Sequence, residues 1–273
     1  MEGLPIADEL DEIRAAEEHN YQTSLRLLGD SVSLVQDLLD LYKFLTASAT
    51  KSDRAARDEF LTGAHFLQAA RYQLTIGSLA TLRAHIADAL RGGRIAIEVA
   101  AFAARVKRQP DLALVWLNAG QGDDAYERYR RIFSGQKMFP EEDPVLAELG
   151  RRFDTTSKLT HPSVYALAEH SRITRTDRRL DIQFHYFPVK GDDPSEPTRT
   201  FLWTVDTHFG VLRVFENVLG ELLSADDRRT WDLRRNGVDG KLLTHKARWK
   251  EIILRKPKPE TVDPSALVII PPF

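Results

Sequence analysis

The chain has 273 residues, of which 42% are hydrophobic and 29% charged, so it has enough apolar side chains for a packed core and does not resemble a disordered segment. The net charge of -2 argues against a surface that is basic overall, and the lack of cysteine excludes disulfides, zinc–thiolate sites and cysteine nucleophiles. With an acidic N-terminus unlike a signal or transit peptide, this composition favours a cytoplasmic, bacterial-type protein.

The charge is distributed unevenly along the chain. Residues 1–20 carry seven acidic side chains and one arginine, for a net -6, whereas residues 226–258 carry eleven basic and five acidic side chains, for a net +6. Two solvated faces that attract each other within the fold or a dimer explain this pattern, and a basic arm for nucleic acid is the alternative. The acids interleaved with the bases favour the first explanation.

Helical periodicity covers the first half of the chain. Apolar residues recur at three- and four-residue steps from Leu25 to Tyr42, and the same spacing resumes at Phe60. Residues 75–108 predict a further helix that ends before Pro110, and Gly92–Gly93 are expected to kink or divide it. Its apolar run "IAIEVAAFAA" is too short to span a bilayer and is interrupted by a glutamate, so no membrane partner is expected.

The second half begins with shorter elements. Helices are predicted near 110–120 and 123–133, and Asp143–Pro144 predicts an N-cap and first position of the next helix. Alternating apolar and polar residues in "RLDIQFHYFPV" then predict a strand, and "TFLWTV" is either its returning partner or the start of the following helix. The apolar C-terminal segment "ALVIIPPF" is expected to dock on its own bundle or on a partner subunit.

These elements predict a mainly α protein, a multi-helix bundle with a small β-hairpin insertion near 178–205. We expect one helical domain over residues 1–273. Within it, residues 1–74 form the N-terminal helices, 75–170 the bundle core, 171–205 the β insertion, and 206–273 the C-terminal helices and apolar tail.

Several common sites are missing from the sequence. It contains no P-loop, no GxSxG nucleophile elbow and no HExxH zinc motif. None of the eight histidines has a glutamate three residues before it, which argues against the di-iron centre of helical bundles. The sequence therefore predicts neither a cofactor nor a metal site.

Arg94 and Glu98 form the first candidate site. They are four residues apart on a predicted helix and share one face of it. An exposed ion pair would contribute only about 0.3–0.5 kcal/mol. The apolar residues around Glu98 instead indicate partial burial, so its carboxylate needs Arg94 or a residue of another helix as a partner.

The segment "SKLTHPS" holds the second candidate. The helix that begins at Asp143 would place Asp154, Ser157 and His161 along one face. Pro162 biases His161 away from helical geometry, so this residue can also mark a helix junction. His161 is then either a structural histidine that pairs with Ser157 or a carbonyl, or a general acid/base.

The Arg-x-x-x-Glu helix, the proline-bounded helix after it and "SKLTHPS" resemble uncharacterised bacterial helical proteins similar to the HEPN superfamily, over about residues 75–170. The resemblance implies a helical bundle and metal-independent RNA cleavage, with a histidine as acid/base and an arginine that stabilises the phosphate, often across a dimer interface. Eight residues separate Arg152 from His161, more than the family motif has. Only His161 carries over, and Arg94 is a candidate to replace the arginine in space.

Two functions follow from these observations. The first is a HEPN-like RNA-processing or defence-related protein whose candidate catalytic residues are His161, Ser157, Arg94 and Glu98. The second is a non-catalytic interaction or scaffold module in which the same residues are structural. A homodimer is expected in both cases, with RNA as a further partner in the first.

Overall fold

Helices form most of the described chain. The computed structural model describes residues 6–134, 138–160, 171–176, 179–184 and 195–254. The α-helices in these ranges are α1 Ile6–Leu28, α2 Ser33–Ala49, α3 Asp58–Leu82, α4 Ile86–Arg108, α5 Leu112–Leu117, α6 Asp123–Ile132, α7 Pro144–Thr160, α8 Ser195–Leu219 and α9 Ala225–Leu254. The predicted mainly α bundle is confirmed.

Helix α8 lies at the centre of the bundle. It packs against α2, α3, α4 and α7, and its Phe201, Val205 and Phe209 are buried at four-residue steps. This spacing is helical rather than alternating, because the segment is surrounded by helices on several sides. Of the two alternatives for "TFLWTV", the helix is therefore confirmed and the returning strand is not, and the hairpin predicted near 178–205 is not supported.

Two short strands precede α8. Strand β1 covers Ser171–Thr176 and strand β2 covers Arg179–Phe184. They pair antiparallel, with Ser171 opposite Phe184 and Thr176 opposite Arg179. The strand predicted from "RLDIQF" thus pairs with the residues before it and not with those after it.

Glycines inside α4 allow close helix packing. A Cβ atom on Gly93 would lie 2.6 Å from the ring of Trp203 on α8, so only glycine fits at this crossing. Gly92 faces Gln73 and Gly77 of α3 in the same way. The expected break at Gly92–Gly93 is wrong: the helix is interrupted earlier, between α3 and α4, where Ala84 adopts a positive φ of 69°.

The start of α7 matches its sequence signal. The Oδ1 atom of Asp143 accepts hydrogen bonds from the backbone N–H groups of Val145 at 3.0 Å and Leu146 at 3.1 Å. Asp143 is thus the N-cap and Pro144 the first helical residue, as predicted. Leu146 and Leu149 are buried against the bundle, which fixes the faces that α7 presents further along.

The basic C-terminal helix pairs with acidic residues inside the fold. Lys241 of α9 lies 2.8 Å from Asp37 of α2, and Arg248 lies 2.8 Å from Asp30 in the turn before α2. The acids in these pairs belong to α2 and the turn before it rather than to residues 1–20, so the attraction expected between the N-terminal and C-terminal segments stays a prediction. The segment "ALVIIPPF" and its expected docking lie outside the described residues. In the ranges described, no helix is both long and apolar enough to cross a membrane.

Candidate functional site

The structure brings α4 and α7 together, the helices that carry the predicted site residues. Arg94 and Glu98 lie one turn apart on α4, and Ser157 lies in the last turn of α7, which packs directly against α4. His161 follows the end of α7 and lies outside the described residues. Three of the four candidates can therefore be assessed on their contacts.

Arg94 contacts an aromatic ring and not the expected carboxylate. Its guanidinium lies over the ring of Phe153, 4.9 Å from the centroid, in a cation–π contact. Among the described residues it forms no ion pair, with Glu98 or any other acid, and its Nε atom is buried without a hydrogen-bond partner. The Oγ atom of Ser157, one turn beyond Phe153, is buried and unpartnered there as well.

Glu98 is a carboxyl in an apolar setting. Burial raises its pKa above the ordinary glutamate value, and the positive charge of Arg94 opposes this shift without cancelling it. Nearby Tyr129 of α6 also has a raised pKa, mainly through burial and then through the charge of Glu98. Glu98 thus lacks the ion pair that the sequence predicted for it, although its partial burial is as expected.

A pocket opens beside Glu98. It has a volume of about 450 Å³ and lies between α4, α7 and the connector that leads from α6 to α7. We call it the α4–α7 pocket. Its lining combines phenylalanine rings with carboxylates and one arginine: Glu98, Phe102, Phe133, Phe139, Glu141, Arg151, Phe153 and Asp154.

Two aromatic contacts build the walls of this pocket. The rings of Phe139 and Phe153 lie 5.4 Å apart on one side, and those of Phe102 and Phe133 lie 5.1 Å apart on the other. Gly150 is required for the first contact, because a Cβ atom at this position would lie 2.8 Å from the Cβ atom of Phe139. The connector therefore lies directly on α7 and closes one end of the pocket.

Helix α6 leads into the pocket at Phe133. The ring of Tyr129 packs 5.4 Å from Phe133, which lines the pocket just beyond the end of α6. Arg128 and Arg131 of the same helix are exposed, and no carboxylate of the described residues pairs with either. The sequence motif "YERYRRIF", which interleaves aromatic and basic residues, carries this signal, but sequence reasoning missed it.

The opposite face of α7 carries a fully paired network, which we call the Arg152 network. Arg152 donates to Asp206 at 2.7 Å, to Thr207 at 3.2 Å and to Glu148 at 3.0 Å. Lys246 of α9 donates to the other Asp206 oxygen at 2.9 Å. These cations outweigh the burial of Asp206 and hold its pKa below the ordinary range.

His208 is the buried histidine among the described residues, and it is a structural one. It lies at the centre of the bundle, where the hydroxyl of Tyr42 approaches its Nδ1 atom at 3.4 Å. Burial lowers its pKa to about 3 and raises that of Tyr42, so both groups stay neutral at physiological pH. Because His208 is fully buried in the packed core and stays neutral, it is not counted among the candidate site residues.

The comparisons add no homologue to this description. No family model, no curated protein and no solved structure matches the chain. Within the described side chains there is also no group of three or more histidine and acidic residues that could hold a metal ion. The α4–α7 pocket must therefore be interpreted from its own chemistry, which is that of an aromatic pocket lined with hydrogen-bond acceptors.

Proposed function

We propose that this protein is a HEPN-like RNA-binding protein of the RNA-processing or defence type, and that its RNA site is the α4–α7 pocket with the arginines of α6. A single observation carries the proposal. The pocket offers aromatic rings and carboxylates to a flat ligand with donor groups, and the helix that leads into it at Phe133 carries two exposed arginines, Arg128 and Arg131, that no acid of the described residues neutralises.

The parts of this site match the parts of a nucleotide. Proteins bind single-stranded RNA by stacking bases on aromatic side chains and by attracting the backbone to basic residues. The half-buried Phe139 and Phe153 supply ring surfaces, and Arg128 and Arg131 supply positive charge that no acid of the described residues neutralises. The volume of the α4–α7 pocket, about 450 Å³, lies within the range of small-molecule sites, so the pocket can admit one nucleobase.

RNA binding can be tested with charge variants of α6. Fluorescence anisotropy with a short unstructured oligoribonucleotide should show the double variant Arg128→Gln/Arg131→Gln binding about tenfold more weakly, with a shallower dependence on salt. The matched control is Arg57→Gln/Arg83→Gln, which removes two exposed arginines that do not line the pocket. Absence of RNA binding by the unmodified protein, or equal losses in both double variants, would contradict the proposal.

The cleavage part of the proposal depends on His161. As the expected general acid/base, it should make cleavage of a structured RNA sensitive to His161→Ala. Gel analysis of the products compares the two proteins at equal concentration. Equal cleavage by both proteins, or none by either, would eliminate the nuclease and leave RNA binding as the function to be tested.

A second candidate function is the non-catalytic homodimeric module, and one observation favours it. Tyr72, Ile76 and Leu79 form an exposed apolar stripe on α3, with 62%, 40% and 37% of their surfaces accessible. The last two line a shallow groove with Ile95 of α4. Apolar stripes of this kind mark contact surfaces between proteins. Analytical ultracentrifugation of the unmodified chain and of Ile76→Glu tests this function. The unmodified chain should be a dimer and the variant a monomer. An unmodified chain that is monomeric would reject the homodimeric module.

A further inference from the structure

We infer that the α4–α7 pocket selects guanine, with the Glu98 carboxylate accepting hydrogen bonds from the N1–H and 2-amino groups of the base. This inference rests on the proposed RNA-binding function and names the base that the site would take. It is based on the position of Glu98 in the pocket, on its lack of an ion pair among the described residues and on the rings around it.

The polar groups of the pocket are mainly acceptors. Glu98, Asp154 and Glu141 present carboxylates, and Arg151, the one arginine in the lining, is held by Glu148 at 2.6 Å. A carboxylate accepts but cannot donate when it is ionised, so the ligand must provide donors. Guanine has two adjacent donor groups on its Watson–Crick edge, which match the two oxygens of a carboxylate, whereas adenine, cytosine and uracil have one donor group each beside an acceptor.

The surroundings of the pocket favour a nucleotide over a simple amine. An ammonium ligand would also be attracted by the carboxylates. However, Arg128 and Arg131 of α6, exposed and without a carboxylate partner among the described residues, can attract a phosphate near the end of this helix. The rings of Phe139 and Phe153, tilted 39° to each other, offer apolar faces against which a planar base can pack.

Of the three carboxylates in the pocket, Glu98 would form the most favourable hydrogen bonds with guanine. It is half-buried, whereas Asp154 and Glu141 are exposed and already hydrated. A desolvated carboxylate without a partner is costly, and donors from a ligand remove that cost. Binding of guanine would therefore favour the ionised form of Glu98, and its affinity should fall when the pH is lowered enough to protonate this residue.

Base substitution in one RNA position tests the inference. We expect a uridine-rich single strand with one guanine to bind about tenfold more tightly than the same strand with adenine there. Inosine, which lacks the 2-amino group, should be intermediate. In Glu98→Gln the guanine preference should be lost, because an amide cannot accept both hydrogen bonds. Glu142→Gln is the matched control, because Glu142 is exposed and does not line the pocket, and it should keep the preference.

The outcomes separate this inference from the broader function. If the unmodified protein binds all strands equally, guanine selection is wrong and the RNA-binding proposal stands. If it binds none of them, both are wrong. If guanine is preferred but Glu98→Gln retains that preference, the assignment to Glu98 is wrong. Circular dichroism of Glu98→Gln verifies that the variant is folded, so a lost preference reports on the pocket.

Discussion

The two faces of α7 show how the same residue types serve different purposes. On one face, Arg152 and Asp206 are joined directly, with Glu148 as a second partner of Arg152 and Lys246 as a second partner of Asp206. On the other face, Arg94 and Glu98 of α4 form no ion pair among the described residues, and Glu98 faces an open pocket. Cations lower the pKa of Asp206, whereas burial raises that of Glu98. Of these two carboxyls, Asp206 holds helices together and Glu98 is the one available to a ligand.

The largest expected effect is on the paired face. Replacing Asp206 with alanine leaves Arg152 and Lys246 without their shared partner, which should lower the free energy of unfolding by about 3 kcal/mol. Urea unfolding measures this change. Arg151→Ala is the control on the same helix, because its ion pair with Glu148 is exposed and should contribute less than about 1 kcal/mol. Similar losses in the two variants would contradict the distinction between the faces.

The next prediction concerns acid stability. His208 has a folded pKa of about 3 and an ordinary value of 6.5 when unfolded, so the unfolded chain binds more protons between these limits. The contribution of neutral His208 to stability is therefore fully present above pH 6.5 and is lost as the pH falls. His208 alone should reduce the free energy of unfolding by about 2 kcal/mol between pH 7 and pH 5. Urea midpoints of His208→Gln should fall less over this range, and an equal fall would show that His208 does not contribute.

The smallest expected effect on the free energy of unfolding comes from Glu98→Gln on the pocket face. This substitution should stabilise the protein, whereas Asp206→Ala should destabilise it. Because the folded pKa of Glu98 is raised, the folded state binds more protons than the unfolded one, and stability is lost as the pH rises through that pKa. Glu98→Gln removes the buried charge and should raise the free energy of unfolding at pH 7. This gain should vanish in acid, where the glutamate is protonated. A destabilised variant at pH 7 would mean that Glu98 has a structural partner.

The fold was predictable where local signals agree with the tertiary environment. The Asp143–Pro144 cap and the buried Leu146 and Leu149 follow from spacing alone, because a cap needs only its own helix. The sequence left strand and helix open at "TFLWTV", because that segment enters the centre of a bundle, where apolar residues are required on several sides. Gly92 and Gly93 indicated a break, but their role is close contact with other helices, which spacing does not reveal.

The candidate site was predictable only in part. A glutamate among apolar residues indicated partial burial of Glu98, which is found. The rings that surround it come from separate elements, Phe102 from α4, Phe139 from the connector and Phe153 from α7, and their meeting depends on the tertiary fold. Arg152 was considered only for its distance from His161 along the chain, so its partners on α8 and α9 were not foreseen.

The central claim is that Glu98, which forms no ion pair among the described residues, takes its partner from a ligand. NMR titration of the Glu98 side-chain carboxyl, assigned with Glu98→Gln, measures this directly in the free protein and in the presence of the guanine-containing RNA strand. The account predicts a pKa above the ordinary glutamate range in the free protein and a lower pKa with RNA bound. An ordinary or lowered pKa in the free protein, or a pKa that RNA leaves unchanged, would contradict it.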